Sequence, residues 1–225
     1  GGRMKAESKV VKYELSDVIR SRWLLGYTVC FLLATEGLLR FGGDPGKALI
    51  SLSNVVLFVI PLVTIVFGTM YVYSARDFTE VLLAQPVARG QLFAGLYLGL
   101  VLPLSLGVVV GIGAPFVGQA ADGATLAALL VVAVALTAAF TGLAFVIALR
   151  CDDRVKALGI AIAVWLALAI VYDALVLILA TAFANYPLER PLLGMMLLNP
   201  IDLGRIVLLL HFDISALMGY TGAVF

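Results

Sequence analysis

The sequence predicts an all-α, polytopic membrane protein, and three observations carry that expectation. Hydrophobic residues make up 63% of the chain and charged residues only 13%, with a mean hydropathy of +1.11, whereas soluble domains run at about a quarter charged. Uninterrupted apolar runs recur at the length of roughly 20 residues that a helix needs to cross a bilayer core of about 30 Å. These runs do not alternate in the short segments that barrel strands require, and the charges are gathered between them. A net charge of +1 gives no reason to expect nucleic acid as a partner, while the lipid bilayer is one by composition.

Taken in order, Gly1 to Arg3 ahead of Met4 reads as an added remnant, and no signal-peptide pattern follows, so the first span must itself direct insertion. Residues 5–23 place Val11, Leu15, Val18, Ile19 and Trp23 on one helical face with Lys9, Lys12, Asp17 and Arg20 elsewhere, the pattern of an amphipathic elbow helix at the membrane surface. A first span is expected over 24–41, ended by the turn cluster Gly42-Gly43-Asp44-Pro45-Gly46. A second covers 52–74 with a kink at Pro61. Residues 75–91 interrupt the apolar pattern. There Arg76, Asp77, Glu80 and Arg89 sit among Phe78, Val81, Leu82 and Leu83, which describes a short amphipathic helix stopped near Gln85-Pro86. It joins two spans at a place where something outside the membrane could push.

The third span, 92–117, carries Gly95, Gly99, Gly107 and Gly111, small-xxx-small pairs that let helices approach closely, with Pro103 between them. A tight turn over 118–123 leads to the fourth span, 124–149. A second charged connector, 150–156, contains Arg150, Asp152, Asp153, Arg154 and Lys156, and the fifth span follows over 157–183. Residues 185–225 differ. They mix Pro187, Glu189, Arg190, Asn199, Pro200, Asp202, Arg205, His211 and Asp213 with apolar runs too short to cross, so short helices lying at the outer surface are expected, leading to a sixth span that the sequence lacks.

Orientation follows from lysine and arginine. Of fifteen, the amino-terminal segment and the two charged connectors hold all but Arg40, Lys47, Arg190 and Arg205, which puts the amino terminus, 75–91 and 150–156 in the cytoplasm. Cys30, within a span, and Cys151, beside a charged loop, are poorly placed for a disulfide.

The sequence holds no phosphate-binding loop, no nucleophile elbow, no cysteine or histidine pair at metal spacing and a single histidine, so an enzyme is not expected. Asp173 and Glu36 lie within expected spans, where a carboxylate costs about 2.5 to 3.5 kcal/mol at helix centre and needs a partner. A relay or ion site and a structural hydrogen bond are the two readings. His211, Met195, Met196 and Met218 would suit soft copper, although methionine on an apolar stretch usually packs.

The order of parts, elbow, two spans, charged connector and three further spans, resembles the permease subunits of type 2 ABC exporters. The connector ARDFTEVLLAQPVARGQLFAGLYLG is similar to that family's acidic, leucine-rich coupling segment followed by Pro-Val-x-Arg. Four pieces, ELSDVIRSRW, the connector, RCDDRVKALGIAIAVW with VYDALVLIL, and LNPIDLGRIVLLLHFDISALMGYTGAVF, resemble the branch serving maturation of nitrous oxide reductase. The resemblance implies a homodimer in a bacterial inner membrane, carrying two cytoplasmic ATPase subunits that hold ATP and magnesium, with no cofactor on this subunit. It also implies a periplasmic β-helical accessory protein and a copper chaperone that assembles the reductase's copper sites. ATPase coupling then falls on Arg76, Asp77, Phe78, Glu80, Leu82, Leu83, Gln85, Pro86 and Arg89, and the accessory-protein surface on Asn199, Pro200, Asp202 and Arg205. A generic exporter permease for a lipid or drug, and an ATPase-independent channel or secondary transporter, are the alternatives.

Overall fold

The computed structural model describes residues 22–76, 89–119, 122–183 and 189–224. The elbow helix over 5–23 lies almost wholly outside the described residues, as does the greater part of the connector over 75–91. All regular structure among the described residues is helical. The helices are α1 (Arg22–Gly42), α2 (Pro45–Ser74), α3 (Arg89–Phe116), α4 (Gly123–Arg150), α5 (Arg154–Leu166), a π-turn (Ala167–Val171), α6 (Tyr172–Ala182), α7 (Glu189–Leu198) and α8 (Pro200–Val224). Five stretches are long and apolar enough to cross a membrane: α1, α2, α3, α4, and α5 continued through the π-turn into α6. The chain is a multi-pass membrane protein.

The helix starts are set by local chemistry. Helix α2 begins at Pro45, ahead of the expected 52, because Asp44 caps it, its carboxylate accepting from the Lys47 N–H at 3.3 Å, and Pro45 supplies a first-turn residue that needs no donor. The turn before it is correspondingly short, and Gly43 takes the left-handed φ of 68° that lets the chain reverse. Asp122 caps α4 in the same way, accepting from the N–H groups of Ala124 and Thr125 and from the Thr125 hydroxyl.

Helices α2 and α4 form the centre. Helix α3 packs between α1 and α4, α5 lies along α2, and α8 rests against α4 and α2. Leu52, Val56 and Ile60 of α2 are buried against Leu129, Ala133, Leu136 and Phe140 of α4, the three- and four-residue spacing of one helical stripe. In lipid this face gains nothing from leaving water, so close packing must hold it together. Small residues make that packing possible. A Cβ on Gly111 of α3 would stand 2.8 Å from Phe31 Cβ and 2.9 Å from the Thr28 carbonyl oxygen of α1, and one on Gly68 of α2 would stand 2.7 Å from Ala144 Cβ of α4. Thr35, Thr69, Thr137 and Thr141 turn their hydroxyls back on carbonyls one turn earlier, so no polar group is left facing the apolar seam at those positions.

Residues 200–224 correct one expectation. They do not form short surface pieces but one continuous 25-residue helix, α8, about 38 Å long at 1.5 Å per residue. Ile201 and Leu208 are buried, and Gly204 sits where a Cβ would meet Val132 Cγ1 at 2.9 Å. The helix tolerates Asp202 and Arg205 inside the bundle because they neutralise each other.

Candidate functional site

Two polar assemblies stand out in an otherwise apolar bundle, one at the start of the α5–α6 span and one near its middle. The first is built where α4 stops. The carbonyls of a helix's last turn have no partners within the helix and carry the negative end of its dipole, so they favour a nearby cation. Arg76, just beyond α2, supplies it. Its Nη2 donates to the carbonyl oxygens of Ala148 at 3.2 Å and Cys151 at 2.8 Å, and its Nη1 donates to that of Asp152 at 3.2 Å. Tyr73, on the last turn of α2, donates its hydroxyl to the Cys151 carbonyl at 2.6 Å and to that of Asp153 at 3.3 Å. The guanidinium lies 4.1 Å over the Tyr73 ring, which holds the two side chains as one unit. Asp153 then caps α5 by accepting from the Val155 N–H at 2.9 Å, and Arg154 reaches back to α2, its Nε 3.2 Å from Met70 Sδ.

The second assembly lies where α6 meets α7 and α8. The π-turn is a one-residue excess in the helix, marked by the Tyr172 N–H bonding to the Ala167 carbonyl. The amide of Asn199, fully buried, fills the gap between elements: Nδ2 donates to the Leu168 carbonyl at 2.8 Å and to Asp202 Oδ2 at 3.0 Å, while Oδ1 accepts from the Ile201 N–H at 3.1 Å and caps α8. Arg205 Nη1 donates to Asp173 Oδ2 at 2.7 Å and to Asp202 Oδ1 at 3.1 Å. Tyr172 donates to the Met195 carbonyl at 2.6 Å. One guanidinium is thus shared by two carboxylates.

The residues singled out in the sequence divide accordingly. Arg76, Asp152, Asp153 and Arg154 come together at the first assembly; Arg150 ends α4 and Arg89 opens α3. Asp77, Phe78, Glu80, Leu82, Leu83, Gln85 and Pro86 lie outside the described residues. Asp173 finds the protein partner its position demands. Glu36 pairs with Arg40 at 2.7 Å on an exposed stretch of α1. Asn199 and Asp202, expected on a partner surface, are instead buried, because their polar atoms are spent on Leu168, Ile201 and Arg205; Pro200 opens α8 and Arg205 is half-buried. His211 has Nδ1 2.8 Å from the Val207 carbonyl, and Met195 and Met196 are half-buried on α7. Among the described residues no group of three or more histidine, cysteine or acidic side chains could hold a metal ion. Tyr73 and Tyr172 were not foreseen, although each stands within one turn of a charged residue already singled out.

No family model matches the chain. Two curated proteins do. A probable ABC transporter permease protein NosY from Pseudomonas aeruginosa is 27% identical over 230 residues, covering 93% of this chain and 84% of that protein. A protein of the same name from Stutzerimonas stutzeri is 27% identical over 225 residues, covering 91% of this chain and 81% of that protein.

Proposed function

We propose that the chain, similar over nearly its whole length to proteins named probable ABC transporter permease NosY, is itself such a permease and converts ATP hydrolysis by a separate cytoplasmic ATPase into movement of its spans. The movement serves transport or mechanical work needed to assemble the copper sites of nitrous oxide reductase, as the resemblance of the four sequence pieces implies. The observation that carries the reading is near full-length similarity to permeases in a chain whose one amphipathic connector joins two long spans.

In this reading the connector over 75–91 seats on the ATPase beyond Arg76, presenting Phe78 and Leu82 on one face and Glu80 on another, while Arg76 is turned back on the α4–α5 turn. The permease works as a homodimer in the inner membrane with a cytoplasmic amino terminus, and binds no cofactor itself. A periplasmic β-helical protein, and a copper chaperone with the reductase, engage it from outside. Asn199 and Asp202 hold the outer helices in register for that contact rather than meeting the partner themselves.

The test is co-purification of the ATPase with the full permease, together with transporter-dependent ATP hydrolysis in membranes. Phe78→Ala with Leu82→Ala removes on the order of 1.5 to 3 kcal/mol per side chain buried in the complex and should release the ATPase. Glu80→Lys should do so by charge reversal. Insertion survives both changes, which touch no span. Normal docking and turnover in both variants would remove the coupling assignment.

A further inference from the structure

We propose that Arg76 is a positioning residue that carries movement of the connector across to the α4–α5 turn, so that the span beginning at α5 is driven together with those on either side of the connector. The proposal rests on the coupling reading above and adds a route to it. That reading alone moves α2 and α3, the two helices fused to the connector. The Tyr73 and Arg76 contacts add a third and a fourth.

The geometry supports this in three ways. Arg76 heads the residues expected to couple to the ATPase, yet its guanidinium is aimed at the carbonyls of 148, 151 and 152. Those carbonyls belong to the end of α4 and the turn into α5, groups no helix satisfies, so the guanidinium, joined at Cys151 by the Tyr73 hydroxyl, supplies their partners. A planar guanidinium can serve several carbonyls at once, which an ammonium on a flexible stem does not reproduce. Tyr73 clamps the Cys151 carbonyl from the α2 side, and Asp153, whose carbonyl accepts from the same hydroxyl, caps α5. Further along, Trp165 donates from Nε1 to the Phe58 carbonyl of α2 at 3.3 Å. Helix α5 is therefore tied to α2 at its first turn and again near its last. Helix α3 is fused to the connector and packs on α1 and α4, where Tyr97 donates to the Ala138 carbonyl at 2.9 Å. A displacement arriving at residue 77 is delivered to α5 through a short, polar, nearly rigid link.

The experiment uses the full permease with its ATPase in lipid nanodiscs, in a background with Cys30→Ser and Cys151→Ser, which leaves the Cys151 backbone carbonyl in place. A polarity-sensitive fluorophore is attached through Leu102→Cys on α3 in one sample and Leu166→Cys on α5 in another, both exposed positions. Emission is read with and without ATP on complexes that retain the ATPase. With Arg76 intact, both labels should respond. With Arg76→Gln, the α5 response should be lost while the α3 response persists, and Tyr73→Phe, which removes one hydroxyl and keeps the ring, should reduce the α5 response alone. An α5 response that persists in Tyr73→Phe with Arg76→Gln would overturn the proposal. So would equal loss at both labels in Arg76→Gln, which would make Arg76 part of the ATPase contact itself. If Arg76→Gln does not insert, Tyr73→Phe decides alone, and an unchanged α5 response in it overturns the link. Silence of both labels with Arg76 and Tyr73 intact would count against the coupling reading instead.

Discussion

At the scale of single residues, Asn199 and Arg205 hold the second assembly together. Asn199 is fully buried and makes three hydrogen bonds, one of them the cap of α8. Asn199→Ala removes the cap, about 1 kcal/mol, and leaves the Leu168 carbonyl and the Asp202 carboxylate each short of a donor, about 1 to 3 kcal/mol apiece. Asn199→Asp keeps the capping acceptor but loses both donors and sets a second negative charge beside Asp202, so it should be the more damaging of the two in an unfolding titration in mixed micelles. Arg205→Ala strands two carboxylates, and breaking such a group by removing one partner costs about 3 to 5 kcal/mol. Adding Asp173→Asn and Asp202→Asn to Arg205→Ala should restore most of that loss in the same assay, since the triple variant carries no unpaired charge. By contrast the exposed Glu36–Arg40 pair belongs to a class worth about 0 to 1 kcal/mol, and Glu36→Gln should leave stability nearly unchanged.

At the scale of elements, close approach sets the helix spacing. Gly111→Ala forces a methyl to within 2.8 Å of Phe31 Cβ and 2.9 Å of the Thr28 backbone, and overpacking of this kind costs about 1 to 3 kcal/mol. Gly142 has no atom within 4 Å of the equivalent point, so Gly142→Ala should be neutral within about 0.5 kcal/mol and serves as the control. Much of this level was legible in advance. Apolar run length dictates a crossing helix, and the expected spans differ from α1, α3 and α4 only at their ends. The small-residue spacing in the third span, read as packing, is packing at Gly107 and Gly111, which face α1. Two things were not legible. Hydropathy penalises Asp202 and Arg205 one at a time, so it breaks α8 into pieces that their mutual neutralisation keeps whole. A π-turn has no compositional signature in Ala167–Val171, because it is a matter of phase between neighbouring helices.

At the scale of the whole molecule, the burial of the spans is uneven. Half of the most apolar window of α2 and of α3 is buried, against 17% for α1 and 11% for the stretch from Arg154 to Ala182. This last span is held by a few contacts, at the α4–α5 turn, at Trp165 on the Phe58 carbonyl and at Leu168 and Asp173 near its middle, while most of its surface stays open. The orientation of the bundle is a separate question that charge addresses: Thr79→Cys, in a background with Cys30→Ser and Cys151→Ser, should be labelled by an impermeant thiol reagent only after the cytoplasmic face is exposed. Labelling from outside intact cells would reverse the topology. The candidate site was half legible on this scale. Both charged connectors were recognised from composition, but that Arg76 of the first grips the second follows from α2 and α4 ending side by side, which no linear pattern displays.

The π-turn also makes the span tolerant of length in an angular sense. A plain helix advances about 100° per residue, but a surplus residue held as a bulge, with the Tyr172 N–H on the Ala167 carbonyl, occupies the same turn without passing that rotation on. Deleting Ala169 would therefore return the stretch to plain α-helix and leave Asp173 and Tyr172 on nearly the same bearing toward Arg205 and Met195. The apolar composition and the capacity to insert would be untouched. Extra chain at this point is stored as a bulge, and the two halves of the span keep their mutual bearing through it.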